Sequence, residues 1–169
     1  MYALHATKKL LDRIKSPSIA IGGTSDTLLG NWYATALFWK PQVALLVNEQ
    51  TLLPVLMPLA PATDLALRFP ECLANVLAAH GVPSQFIDQE LALMNEVQYT
   101  KTANRSVVGI MNEFSFLAEG YRDHMNTKEL LALSLKLSET PCSPLYKTAI
   151  SPDKALQRLI ASQTIPETP

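Results

Sequence analysis

Lys101, Thr102, Asn104, Arg105 and Ser106 place two cations, two hydroxyls and an amide within six residues. Directly after them, Val107, Ile110, Met111, Phe114, Leu117, Ala118 and Tyr121 follow i, i+3, i+4 spacing, which predicts a helix with one buried face. The chemistry this combination could do is anion recognition. A helix N-terminus offers free N–H groups and a partial positive charge, and Lys101, Thr102 and Arg105 would add side-chain donors. Arg105, Gly109 and Asn112 fall almost on one line, because seven residues make close to two turns. Gly109 would let a backbone or a ligand come close. The same residues fit a purely structural role, in which Asn104 or Ser106 caps the helix, Arg105 pairs with a distant carboxylate and Gly109 is a packing contact.

A reaction at phosphate would need a carboxylate beside Arg105, with Glu49 or Glu113 as the base. Asn48 and Glu49 sit in a predicted hairpin turn, whose charged tip could complete a polar pocket with Arg105. Trp32 and Tyr33 either begin a sheet and pack in its core or line a groove. His5, His80 and His124 have no metal-ligand spacing, so no metal is expected. His80 stands at a predicted helix C-terminus, where positive charge is favourable. Cys142 lies between two prolines. As a reactive thiol it would need a base or a cation, with Lys147 the nearest, and otherwise it is a small buried side chain. Gly22-Gly23-Thr24-Ser25 lacks the spacing and the lysine of a phosphate loop. No catalytic set can be assigned and no cofactor is implied.

The elements that would position these groups can be taken in order. Met1–Ala6 predicts a short strand, and Thr7 can cap a helix through Ile14 that Ser16-Pro17 ends. Ser18–Gly30 reads as a loop with a short strand at 18–21. Three apolar runs, Trp32–Trp39, Val43–Val47 and Leu52–Leu59, are joined by Lys40-Pro41-Gln42 and Asn48-Glu49-Gln50-Thr51. Connections this short predict an antiparallel meander. The runs are too apolar for a sheet with a wetted face, so both faces should be covered. Pro54 argues for an edge strand or a bulge. Asp64–Arg68 predicts one helical turn, and Pro70 the first position of a helix to His80, stopped by Gly81 and Pro83. Ser84 caps a further helix, and Glu96–Thr100 alternates as a strand before the central helix. Asn126 or Thr127 can cap a helix through Lys136, and Ser151 caps Pro152 at the start of a last helix. The fold class is therefore α+β, with an antiparallel meander of about 3–5 strands packed with several α-helices. It forms a single domain over residues 1–162, and 163–169 form a flexible tail.

A length of 169 residues suits one domain with a real core, and 48% hydrophobic residues rule out a disordered chain. Lys+Arg 14 against Asp+Glu 15 gives a net charge of −1. Non-specific nucleic-acid binding is therefore not expected, although a local basic patch is compatible with that balance. Two cysteines, Cys72 and Cys142, make neither a CxxC motif nor a zinc site. No signal peptide and no membrane span are expected, and the cytoplasm is the expected location.

Five segments together resemble a known family. They are Thr7–Leu11, Leu29–Ala34, Val47–Pro54, Thr102–Phe114 and Glu139–Lys147. Asn104-Arg105-Ser106-x-x-Gly109-x-Met111-Asn112 is the most specific part, and the resemblance runs to about Asp153. The family is an uncharacterised bacterial group described only as a domain of unknown function. Asn31 stands where its pattern usually has aspartate, and Glu113 where aspartate is common. The resemblance implies a fold and a set of suspect residues, and no reaction. Bacterial families of this kind often sit on mobile elements or in defence neighbourhoods, an expectation that no residue carries.

Two functions fit these observations. One is a non-catalytic binding or adaptor protein for a protein partner or a small anionic ligand, with Lys101, Thr102, Asn104, Arg105, Ser106, Asn112, Asn48, Glu49 and Trp32 as candidate contacts. The other is an enzyme acting on a phosphate-containing substrate or nucleic acid through Arg105 and a nearby carboxylate.

Overall fold

All six residues of Trp32–Leu37 are buried, so the strand they form is covered on both faces. The structure, a computed structural model, describes residues 1–15, 18–125 and 129–163. Its strands are β1 (Tyr2–Ala6), β2 (Trp32–Leu37), β3 (Val43–Asn48), β4 (Pro54–Pro58) and β5 (Val97–Lys101). Its α-helices are α1 (Lys8–Ile14), α2 (Leu65–Ala79), α3 (Ser84–Leu93), α4 (Arg105–His124), α5 (Leu130–Leu137) and α6 (Pro152–Gln163). One sheet runs in the order β4-β3-β2-β1-β5.

The predicted antiparallel meander is only part of this sheet. β2, β3 and β4 pair antiparallel, as their short connections require. β1 pairs parallel with both β2 and β5, so the sheet is mixed. The reason is connection length: α1 and a long loop carry the chain from β1 back to β2, which permits a parallel neighbour. The short strand predicted at 18–21 is a single parallel bridge, from Ile19 to Tyr99 of β5. β4 is an edge strand, consistent with Pro54. Its free-edge N–H at Leu56 donates to Ser134 Oγ of α5 at 2.9 Å.

Strand alternation divides the core in two. Trp32, Ala34, Ala36, Leu4 and Leu46 face α1, α2 and α3, where the Phe69 ring meets Trp32 edge-on at 5.0 Å. Tyr33, Leu37, Leu45 and Val47 face α4 and α5 through Val107, Ile110, Met111, Phe114 and Leu133. Each large side chain fully removed from water contributes about 1.5–3 kcal/mol.

Three local expectations change. The turn at Asp64–Arg68 and the helix from Pro70 are one helix, α2, with Pro70 inside it. Proline has no N–H for the Ala66 carbonyl, and that oxygen instead accepts from Tyr2 Oη at 2.8 Å. Thr7 and Ser84 do not cap by side chain: Thr7 Oγ1 lies 3.0 Å from Thr35 Oγ1, and Pro83 holds the cap position before Ser84. The stop at Ser16-Pro17, the cap at Asn126 or Thr127 and the tail beyond Gln163 lie outside the described residues. None of the described helices is long and apolar enough to cross a membrane.

Candidate functional site

Between β5 and α4 the chain makes a short polar turn, and Asn104 is its hub. The Asn104 N–H donates to Tyr33 Oη at 2.9 Å, which ties the turn to the sheet. Asn104 Oδ1 accepts from the N–H groups of Ser106 at 3.0 Å and Val107 at 3.3 Å. The Val108 N–H goes to the Asn104 carbonyl. An anion at this helix start would need those same donors, and the cap has already used them. Beneath the turn, the His5 ring stacks on Tyr33 at 4.6 Å and 10°. Its Nδ1 lies 3.1 Å from the Lys101 carbonyl oxygen, to which it donates. Its Nε2 is buried without a hydrogen-bond partner among the described residues.

The candidate cations stand outside this network. Lys101, Arg105 and Ser106 are exposed and Thr102 is half-buried, and neither cation forms an ion pair among the described residues. Arg105 begins a line along the outward side of α4, continued by Gly109, Asn112, Phe116, Gly120 and Asp123, all of them exposed. Phe116 is 77% exposed. A Cβ built on Gly109 or Gly120 would meet nothing within 4 Å, so neither glycine serves as a packing contact. A shallow hollow of about 460 Å³ lies beside Phe116 and Gly120. Two other depressions, about 420 Å³ beside Gln50 and Arg158 and about 110 Å³ between Trp39 and Arg122, include none of Lys101, Thr102 and Arg105.

The remaining candidates do not join this group. Trp32 is 1% exposed and packs in the core. Asn48 is fully buried and organises the β3–β4 turn. Its Oδ1 accepts from the Gln50 and Thr51 N–H groups and the Thr51 hydroxyl, and its amide donates to the Leu29 carbonyl. Glu49 follows it at the end of β3, three strands from β5, roughly 14 Å across the sheet at ordinary strand spacing. Glu113 is two turns along α4 from Arg105, about 12 Å of rise. It instead lies near Cys142, whose thiol is pushed up to about 11 by burial and then by that carboxylate. A thiol so raised is a poor nucleophile, and the sulfur donates to the Thr140 carbonyl at 3.3 Å. Asn31 is occupied in holding the loop before β2, where its Oδ1 accepts from the Ser25 N–H and hydroxyl at 2.9 and 2.8 Å.

Three titratable groups escape a reading by motif. Glu90 on α3 is 1% exposed, and its carboxylate accepts from the Leu28 and Leu29 N–H groups at 3.1 and 2.7 Å. Burial holds its pKa above the usual carboxylate value, against those bonds and one from Thr27. His80 caps α2 at its C-terminus, and burial lowers its pKa against the pull of Asp153. His5 had one legible signal, a polar residue in the middle of an apolar strand. Among the described residues no three His, Cys, Asp or Glu side chains stand together in a way that could hold a metal ion.

Neither the curated proteins nor the solved structures hold a significant match to the chain. A family model does match, over residues 3–155, and so spans every element from β1 into the start of α6. It includes the Asn104 cap, the Asn48 turn and the whole outward line of α4. The chain therefore belongs to the family described as Domain of unknown function (DUF6933).

Proposed function

We propose that this protein is a non-catalytic binding protein that docks a protein partner on the outward face of α4. The observation that carries the reading is the line Arg105, Gly109, Asn112, Phe116. Every member is exposed, and none takes part in the packing or capping that holds the fold. Phe116 supplies the aromatic that interfaces are enriched in, and the polar groups beside it would form the rim of such a contact. The cap at Asn104 speaks against a small anion at the helix start, because it has taken the N–H donors. The second reading, an enzyme for a phosphate-containing substrate, has in its favour Lys101 and Arg105, unpaired among the described residues. Against it stands the separation of Glu49 and Glu113 from Arg105.

The test is site-specific photo-crosslinking in the source cells, with the reactive residue at position 112 or 116 and a control at Leu67, which is 82% exposed on α2. Protein adducts at 112 and 116 that are absent at 67 are expected. Equal labelling at all three positions, or none, would defeat the proposal. A thermal-shift titration with inorganic phosphate and nucleotides covers the second reading: a stabilisation lost in Arg105→Ala would favour it.

A further inference from the structure

The outward line of α4 breaks several local rules of helix design at once. Gly109 and Gly120 sit in the helix interior, where glycine is unfavourable relative to alanine, and no contact in the chain needs them. Phe116 lies between them in water. Arg105 is the first residue of the helix, beside its partial positive end, and Asp123 is in the last turn, beside its partial negative end. Both charges are therefore placed against the macrodipole. Asp123 is 73% exposed and pairs only loosely with adjacent Arg122, at 3.5 Å. Conflicts of this kind are expected where a residue serves something other than the fold.

One arrangement relieves all of them. Arg105 and Asp123 are eighteen residues apart, which is five turns, so they point the same way. We infer that the partner is a second copy of this chain, docked through the same face with the two α4 helices antiparallel about a two-fold axis at the level of Phe114. This rests on the reading of α4 as a docking face and names its occupant. About that axis Arg105 of each copy meets Asp123 of the other. Each charge then lies beside the end of the neighbouring helix that favours it. Glu119, one turn before Asp123, adds negative potential at the same end. Gly109 comes within one residue, about 1.5 Å of rise, of the level of Gly120 of the copy, so the two glycines leave room for the backbones to approach. Helical side chains lean toward their own N-terminus, so each Phe116 leans toward the axis, where the two rings meet. The interface is isologous, with each pair formed twice. Five turns of one helix form a small interface, so association should be reversible and concentration-dependent.

Sedimentation velocity over rising concentration tests this. The native chain is expected to pass from monomer to dimer mass. Arg105→Asp and Asp123→Arg should each weaken association by at least about tenfold, since each places like charges together twice. The double variant Arg105→Asp/Asp123→Arg restores both pairs and should recover it. Circular dichroism and Tm should confirm that every variant folds, because both positions are exposed. A native chain that stays monomeric at every soluble concentration overturns the inference, as does a dimer that the single variants leave unchanged or the double variant fails to restore. Monomeric protein that still gives adducts with other proteins at position 116 defeats the second copy and leaves the docking face standing. Monomeric protein without adducts defeats both.

Discussion

Tyr2 donates its hydroxyl to the carbonyl oxygen of Ala66 at 2.8 Å, the oxygen that Pro70 leaves without its helical partner. A residue of the first strand thereby repairs a gap in a helix more than sixty positions away. The Tyr2 phenol is buried, and burial raises its pKa, so the hydroxyl stays protonated as a donor. Tyr2→Phe keeps the ring packing on Phe69 and removes the bond. The buried carbonyl is then unsatisfied, at about 1–3 kcal/mol. Urea unfolding should show a lower midpoint with an unchanged slope. Adding Pro70→Ala to the Tyr2→Phe variant should recover much of the loss, because an alanine in place of the proline supplies the missing N–H.

Asn48 is expected to be the most sensitive polar position of the sheet. Asn48→Ala leaves the Gln50 and Thr51 N–H groups and the Leu29 carbonyl without it, at about 3 kcal/mol or more. Asn48→Asp keeps the acceptor and sets a carboxylate against that carbonyl, so it should also destabilise. Either variant unfolding at the native midpoint would refute this account of the turn.

Glu90 predicts a pH dependence whose sign can be worked out. Its folded pKa is above the unfolded value, so the folded state binds the proton more tightly. Its contribution is fully present below the ordinary glutamate range and is lost as pH rises through the raised folded value. Glu90→Gln does not titrate. The Tm difference between the two proteins should therefore move in favour of the glutamine variant as pH rises from the ordinary value of 4.5. A difference constant across pH would show that the Glu90 pKa does not change on folding.

Gly109→Ala and Gly120→Ala should each stabilise the monomer by about 0.5–1 kcal/mol, since alanine is the better helix former and the space is open. Chemical unfolding at low protein concentration measures this. A loss of stability at either position would mean that the glycine answers a contact within the chain.

Much of this protein was legible along the chain. The buried stripe of α4 follows from a 3.6-residue period, because each helical position has one direction. The antiparallel pairing of β2, β3 and β4 follows from connections too short to permit anything else. Coverage of both sheet faces follows from runs with no polar alternation. Single residues narrowed the α4 cap to Asn104 or Ser106 and β4 to an edge strand or a bulge, and the structure selects Asn104 and the edge. What the sequence left open was non-local. The parallel pairing of β1 with β2 and β5 depends on contacts across long connections, which no local spacing records. Pro70 signals a helix start wherever it stands, and only Tyr2, arriving from another strand, lets α2 run through it. Asn48 and Arg105 are both polar residues at a turn or a helix start. Tertiary structure sends the first to the centre of a hydrogen-bond cluster and leaves the second in water, because burial is decided by what packs above a residue and not by its neighbours in the chain.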